Sequence, residues 1–100
     1  MMKDYVLLHY REPIKLNDMA ELVHFHPNYL SELFRKETGM TFSDYLTDCR
    51  LDAAKRLLLD LQYNVYDVAE LVGIKDTKYF SRIFKKAVGV TPSEYRKLHM

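Results

Sequence analysis

Two stretches of this chain carry polar side chains at the same spacing, fifty positions apart. In the first, Asn28, Ser31, Glu32 and Arg35 recur at i, i+3, i+4 and i+7. In the second, the aligned positions hold Lys78, Ser81, Arg82 and Lys85, with Thr77 just ahead. On a helix this spacing places each set on one outward face. The chemistry open to such faces is hydrogen bonding to a polar surface, not bond making. Arg82 and Lys78 can donate to guanine O6 and N7, Asn28 can pair with adenine, and Glu32 can accept from the cytosine amino group. Arg35, Lys36, Lys85 and Lys86 fall nearer the helix C-termini, where they suit phosphates, contacts that position a protein without specifying sequence.

Other chemistries find little footing. There is no glycine-rich phosphate loop, and the only carboxylate–histidine neighbourhoods lie at exposed or turn positions. His24 and His26 flank Phe25, but no Cys or third His stands at metal-ligand spacing. The single Cys49 cannot form an internal disulfide and falls on an apolar stripe. No catalytic residue, metal or cofactor is therefore expected, and a reduced, cytoplasmic setting is the simple expectation. No apolar run approaches the roughly 20 residues that span a bilayer, so no membrane partner is expected.

The elements that must hold these faces are themselves repeated. Residues 29–45 return as residues 79–95 with eight of seventeen positions identical, among them Tyr29/Tyr79, Ser31/Ser81, Phe34/Phe84, Gly39/Gly89 and Tyr45/Tyr95. Upstream, Asp18-Met-Ala-Glu-Leu-Val23 returns as Asp67-Val-Ala-Glu-Leu-Val72, at an offset of 49 rather than 50, so the second turn is one residue longer. Two copies are too few for a solenoid. One hundred residues with 48% apolar content make one compact domain, or two subdomains that share an element.

Apolar spacing is helical nearly throughout, without strand alternation. It predicts helices over about Lys3–Arg11, Leu16–Val23 (burying Leu16, Met19, Ala20 and Val23) and Pro27–Thr38, the last opened by Pro27 and closed by Gly39. A long helix over about Phe42–Asp60, N-capped by Thr41, should bury Tyr45, Leu46, Cys49, Ala53, Ala54, Leu57, Leu58 and Leu61. Asn64 caps a helix over Val65–Val72. Asp76 caps the next, which ends at Gly89, and Thr91-Pro-Ser-Glu94 is a capping box opening a last helix through Arg96. The fold class is all-α: seven helices, two helix-turn-helix subdomains (about residues 1–41 and 61–100) joined by a long central helix (about 42–60). Short helix, tight turn and longer helix, with small Ala20 or Ala69 in the first member, is the DNA-binding helix-turn-helix pattern. Nineteen residues of linking helix at about 1.5 Å each span roughly 28 Å, set against about 34 Å between successive major-groove segments on one face of DNA.

Net charge is only +1, but it is unevenly spread. Residues 15–48 hold three basic and six acidic side chains, −3, whereas residues 75–99 hold seven and two, +5. The second copy is suited to phosphates and the first is not.

These residues resemble the C-terminal DNA-binding domain of the AraC/XylS transcription regulators over about Leu16–Arg96. The most specific parts are Arg50-Leu-Asp-Ala-Ala-Lys-Arg-Leu-Leu58, Val68-Ala-Glu-Leu-Val-Gly73, Tyr79-Phe-Ser-Arg-Ile-Phe-Lys-Lys86 and Gly89-Val-Thr-Pro-Ser-Glu-Tyr-Arg96. The resemblance implies a sequence-specific transcription factor that binds double-stranded DNA, usually an activator working beside RNA polymerase. It puts base contacts on Asn28, Ser31 and Glu32 in the first recognition helix and on Thr77, Lys78, Ser81 and Arg82 in the second. Three departures mark this chain: Ile74 stands where the family usually has Phe, His24 stands where the second copy has Gly73, and Lys15 where the second copy has Asn64. With the acidic charge, these make the first copy the weaker expected reader. Family members usually carry a sensing or dimerisation domain as well, so a piece of a longer regulator is the favoured expectation, and the isolated chain is expected to be monomeric. The competing reading is a helical protein-interaction module whose acidic first copy docks on the transcription machinery and whose DNA binding is weak. Steep loss of affinity with salt would separate the two.

Overall fold

The computed structural model describes residues 2–100; Met1, which the expected domain includes, lies outside them. Among the described residues every regular element is an α-helix: α1 Met2–His9, α2 Leu16–Val23, α3 Pro27–Thr38, α4 Phe42–Leu58, α5 Val65–Leu71, α6 Thr77–Val88 and α7 Pro92–Leu98. The chain divides into two compact units, Met1–Cys49 and Arg50–Met100.

In the first unit, α2 and α3 pack their apolar faces with α1 and the start of α4. Val6, Met19, Ala20, Leu30, Phe34, Phe42 and Leu46 form the buried cluster, with Leu16, Val23, Leu33, Tyr45 and Cys49 half-buried against it. Phe34 meets Tyr45 edge-on at 5.3 Å and 78°, a favourable arrangement for the ring quadrupoles. Burial raises the Tyr45 phenol above its ordinary pKa, helped by Cys49 and Asp4. In the second unit Leu51, Ala53, Ala54, Leu58, Val68, Ala69, Val72, Ile74, Phe80, Phe84 and Pro92 are buried. Phe84 meets Tyr95 at 5.6 Å, again at 78°, so the repeated aromatics do the same packing in both copies. Ile74 packs fully in place of the usual aromatic.

Several boundaries move. Helix α1 begins at Met2 and stops at His9, two residues before the expected Arg11, where the Glu12 N–H turns back to the His9 carbonyl at 2.9 Å. Helix α7 runs on past Arg96 to Leu98. Helix α4 ends at Leu58 rather than Asp60. Its last carbonyl is claimed by a side chain: the Arg96 Nε–H donates to the Leu58 carbonyl at 2.7 Å, and past the helix end an Nη2–H donates to Tyr63 O, with a longer contact to Asp60 O at 3.4 Å. This guanidinium supplies donors to a helix end that has no glycine. Leu61, expected in the apolar stripe, lies three residues past the helix end and is exposed, while Leu51, absent from that stripe, is buried.

Candidate nucleic-acid interface

Each turn is closed by the same pair of backbone bonds. In the first copy the Phe25 N–H donates to the Ala20 carbonyl at 2.9 Å and the His24 N–H to Glu21 O at 3.2 Å. In the second the Ile74 N–H donates to Ala69 O at 2.9 Å and the Gly73 N–H to Glu70 O at 3.1 Å. This closure requires a left-handed residue at the hinge. Gly73 provides it at φ 90°, and His24 adopts it at φ 60° despite its Cβ. Ala20 and Ala69 are both buried, and a larger side chain there would push the following helix away.

The recognition helices differ in how they start. Asp76 caps α6, accepting the Tyr79 N–H at 3.1 Å. His26 takes that place for α3: its Nδ1 accepts the Asn28 N–H at 3.2 Å, which requires the ring proton on Nε2. Helix α5 opens with a full capping box between Asn64 and Asp67, whereas Lys15 gives α2 no side-chain cap. The alignment of His26 with Asp76 in the repeat is the sequence signal for this cap.

On α3, Asn28, Ser31, Glu32, Arg35 and Lys36 are all exposed. They do not share one surface feature. Glu32 and Lys36 line a shallow concavity of about 240 Å³ with Tyr29 and Leu33. Ser31 turns to the other side, into a groove of about 240 Å³ whose walls include Lys15, Thr41 and Ser43. On α6, Lys78, Arg82, Lys85 and Lys86 are exposed, while Thr77 and Ser81 are half-buried. The Arg82 guanidinium lies over the Tyr79 ring, 5.4 Å from its centroid, within cation–π range. Arg35, Lys36, Lys85 and Lys86 all sit in the last turn of their helices, where they also complement the helix dipole. Thr91 and Glu94 form the capping box of α7. The bonds from Thr91 hold the Glu94 carboxyl below its ordinary range, with Lys85 and Lys97 adding to the effect.

Among the described residues no group of three or more His, Cys, Asp or Glu side chains is placed to hold a metal ion. No described helix is long and apolar enough to cross a membrane.

Two helix-turn-helix units with equivalent turns and unequal charge define a class of α-helical domain built to present two exposed helices. Residues 19–98 match the family described as "Helix-turn-helix domain". The structure is similar to the C-terminal domain of AraT, a response regulator from Geobacillus stearothermophilus (TM-score 0.94, 36% identity, covering 99% of this chain and 83% of that one). It is also similar to the C-terminal domain of the two-component response regulator yesN from Fusobacterium nucleatum (TM-score 0.89, 35% identity, covering 95% and 93%). The chain belongs to the AraC-type helix-turn-helix family. At the level of fold alone it resembles the DNA-binding domain of AdpA, solved in complex with a target DNA (TM-score 0.91, 24% identity, 98% and 88% covered). Among curated relatives, the Bacillus subtilis protein named HTH-type transcriptional regulator YtdP is 39% identical over 88% of this chain, and YisR of the same species 36% over 94%. The chain spans only 11% and 33% of the lengths of those two proteins.

Proposed function

We propose that this chain is a sequence-specific double-stranded DNA-binding domain of a transcription regulator, acting as one domain over residues 1–100, with α3 and α6 entering successive major-groove segments. The observation that carries the reading is the duplicated turn closure, Phe25 to Ala20 and Ile74 to Ala69 at the same 2.9 Å. It holds two exposed helices of matching length in the same way. A domain of the same fold, that of AdpA, holds a target DNA, and the relatives named above are called transcriptional regulators.

In this reading Lys78, Ser81 and Arg82, with Thr77 at the helix start, contact base edges from α6, and Asn28, Ser31 and Glu32 do so from α3. Arg35, Lys36, Lys85 and Lys86 hold phosphates. On the same reading the domain works in the cytoplasm beside RNA polymerase, is no enzyme and by itself is monomeric; relatives that it spans to only 11% and 33% favour its being part of a longer regulator over a short stand-alone one. The interaction-module alternative is not favoured by a family whose members are named as transcription regulators.

The test is selection of duplexes from a random library at fixed, near-physiological salt. Two enriched blocks about one helical turn apart are expected. Arg82→Ala should cost about 1–3 kcal/mol and relax one base pair. A single block lost with Arg82→Ala would leave α6 as the only reader, and no enrichment even at low salt would sink the reading.

A further inference from the structure

The recognition helices carry the same tyrosine at the same place, and the structure gives the two rings different partners. In α3, Tyr29 meets Phe25 edge-on at 5.2 Å and 88°. In the second copy the turn residue aligned with Phe25 is Ile74, which is buried. The Tyr79 ring instead carries the Arg82 guanidinium at 5.4 Å, and the position aligned with Arg82 in α3 is Glu32, whose negative carboxylate a ring face does not attract. Tyr79 precedes Arg82 by three residues, so the two side chains are helix-surface neighbours. The root of the ring is fixed as well, because the Tyr79 N–H is held by the Asp76 carboxylate at 3.1 Å. A long flexible side chain surrenders rotamer freedom when it docks on a base edge; one already restrained surrenders less.

We propose that Tyr79 is a positioning residue for Arg82: its ring holds the guanidinium plane ready for a base edge, so that Tyr79 sets base discrimination without itself reading a base. The proposal rests on the DNA-binding reading above and adds to it a specificity determinant that lies outside the set of base-contacting residues. It also gives a reason, separate from net charge, to expect the second copy to be the stronger reader. Its arginine is prearranged, whereas the first copy spends its tyrosine on Phe25.

The experiment compares the parent chain, Tyr79→Phe, Tyr79→Leu, Arg82→Ala and the Tyr79→Leu/Arg82→Ala double variant. Binding is measured to the selected duplex and to duplexes changed at the single base pair that Arg82→Ala relaxes. Side-chain NMR of the free proteins is recorded alongside. Tyr79→Phe should keep the parent discrimination. Tyr79→Leu should lower it roughly two- to fivefold, the worth of an exposed cation–π pair expressed as a ratio. In the Arg82→Ala background it should lower it no further. In the free chain the Arg82 δ-protons should be shifted upfield by the ring in the parent and in Tyr79→Phe, and should return to ordinary values in Tyr79→Leu.

Equal weakening on every duplex, or equal effects of Phe and Leu, would make Tyr79 a phosphate contact and overturn the positioning role. So would additive losses in the double variant. Should Tyr79→Leu fail to fold, the ring-current shift in the parent and the behaviour of Tyr79→Phe decide, and absence of that shift overturns the proposal. If the parent enriches no duplex while the shift persists, it is the DNA reading that fails, and the readout role falls with it.

Discussion

The two halves of this molecule are one device built twice with different local chemistry. Recognition-helix length, turn closure, the glycine that ends each recognition helix and the Phe–Tyr edge contact (5.3 Å in one copy, 5.6 Å in the other) coincide. What differs is nearly everything that tunes stability and charge. The second copy has a full capping box on α5, an aspartate cap on α6, glycine at the hinge and a basic recognition helix. The first has an uncapped α2, a histidine cap on α3, a histidine forced to φ 60° and an acidic surround. Shape is set by few positions, those that are buried or left-handed; the rest are free to diverge, and here they diverge in the direction that leaves one copy better anchored and more cationic.

The sharpest asymmetry lies at position 96. Its counterpart in the first copy is Leu46, buried in that unit's core. Arg96 instead reaches back to the carbonyls of Leu58, Asp60 and Tyr63. Arg96→Leu, which installs the first copy's residue, should cost about 2–3 kcal/mol, because charge-assisted bonds are lost and the half-buried Leu58 and Tyr63 carbonyls lose their donor, while Asp60 O keeps the Tyr63 N–H. Thermal or urea unfolding measures it. An unchanged midpoint would show that water satisfies those carbonyls equally well, and the two positions would be equivalent after all.

That clasp also shows where sequence reasoning stops. The repeat, the capping residues and the glycines are local signals, and they located seven helices and both recognition helices to the residue, Pro27–Thr38 and Thr77–Val88. The Arg96 partners are backbone carbonyls 33 to 38 residues away. A carbonyl is present at every residue and leaves no trace in composition, so this clasp at the end of α4 could not be read. The exposed faces of α3 and α6 were legible from periodicity. The divergence of Ser31 from Glu32 was not, because i and i+1 share a broad stripe yet stand 100° apart around the axis. Tyr79 recurs visibly with the repeat, but its pairing with Arg82 rather than with a turn residue is a choice of side-chain partner that the sequence does not display.

The hinge offers a smaller and more local test of the comparison. His24 holds φ 60° and ψ 35° where the second copy has glycine. Such a conformation disfavours a side chain that bears a Cβ. His24→Gly should stabilise the first unit by about 0.5–1 kcal/mol, the added freedom of glycine in the unfolded chain offsetting part of the relief. Gly73→His, the reciprocal change, should destabilise the second unit by a similar amount. Melting of the two variants beside the parent reads both. If His24→Gly destabilises, the imidazole makes a contact worth more than the strain, and the histidine is there for that contact.

The smallest effect concerns Glu94, in the capping box that opens α7. Its carboxyl is held below the ordinary glutamate range, first by the bonds from Thr91 and then by Lys85 and Lys97. A carboxyl whose pKa is lowered on folding stabilises the native state at pH values above its unfolded value, about 4.3, and that contribution is lost as pH falls through the lower, folded value. The parent chain should therefore lose stability between neutral pH and pH ~3 by more than Glu94→Gln, which has no carboxyl to protonate. At neutral pH the variant should melt slightly below the parent, and the two curves should converge in acid. The group is fully exposed, so salt will erase the part due to Lys85 and Lys97 and spare the part due to Thr91. A gap between parent and variant that vanishes in high salt at neutral pH would assign the whole effect to the lysines, making the capping box electrostatically idle. A gap that survives salt and closes only in acid would locate it in the Thr91 bonds, the arrangement that the second copy uses to start both α5 and α7.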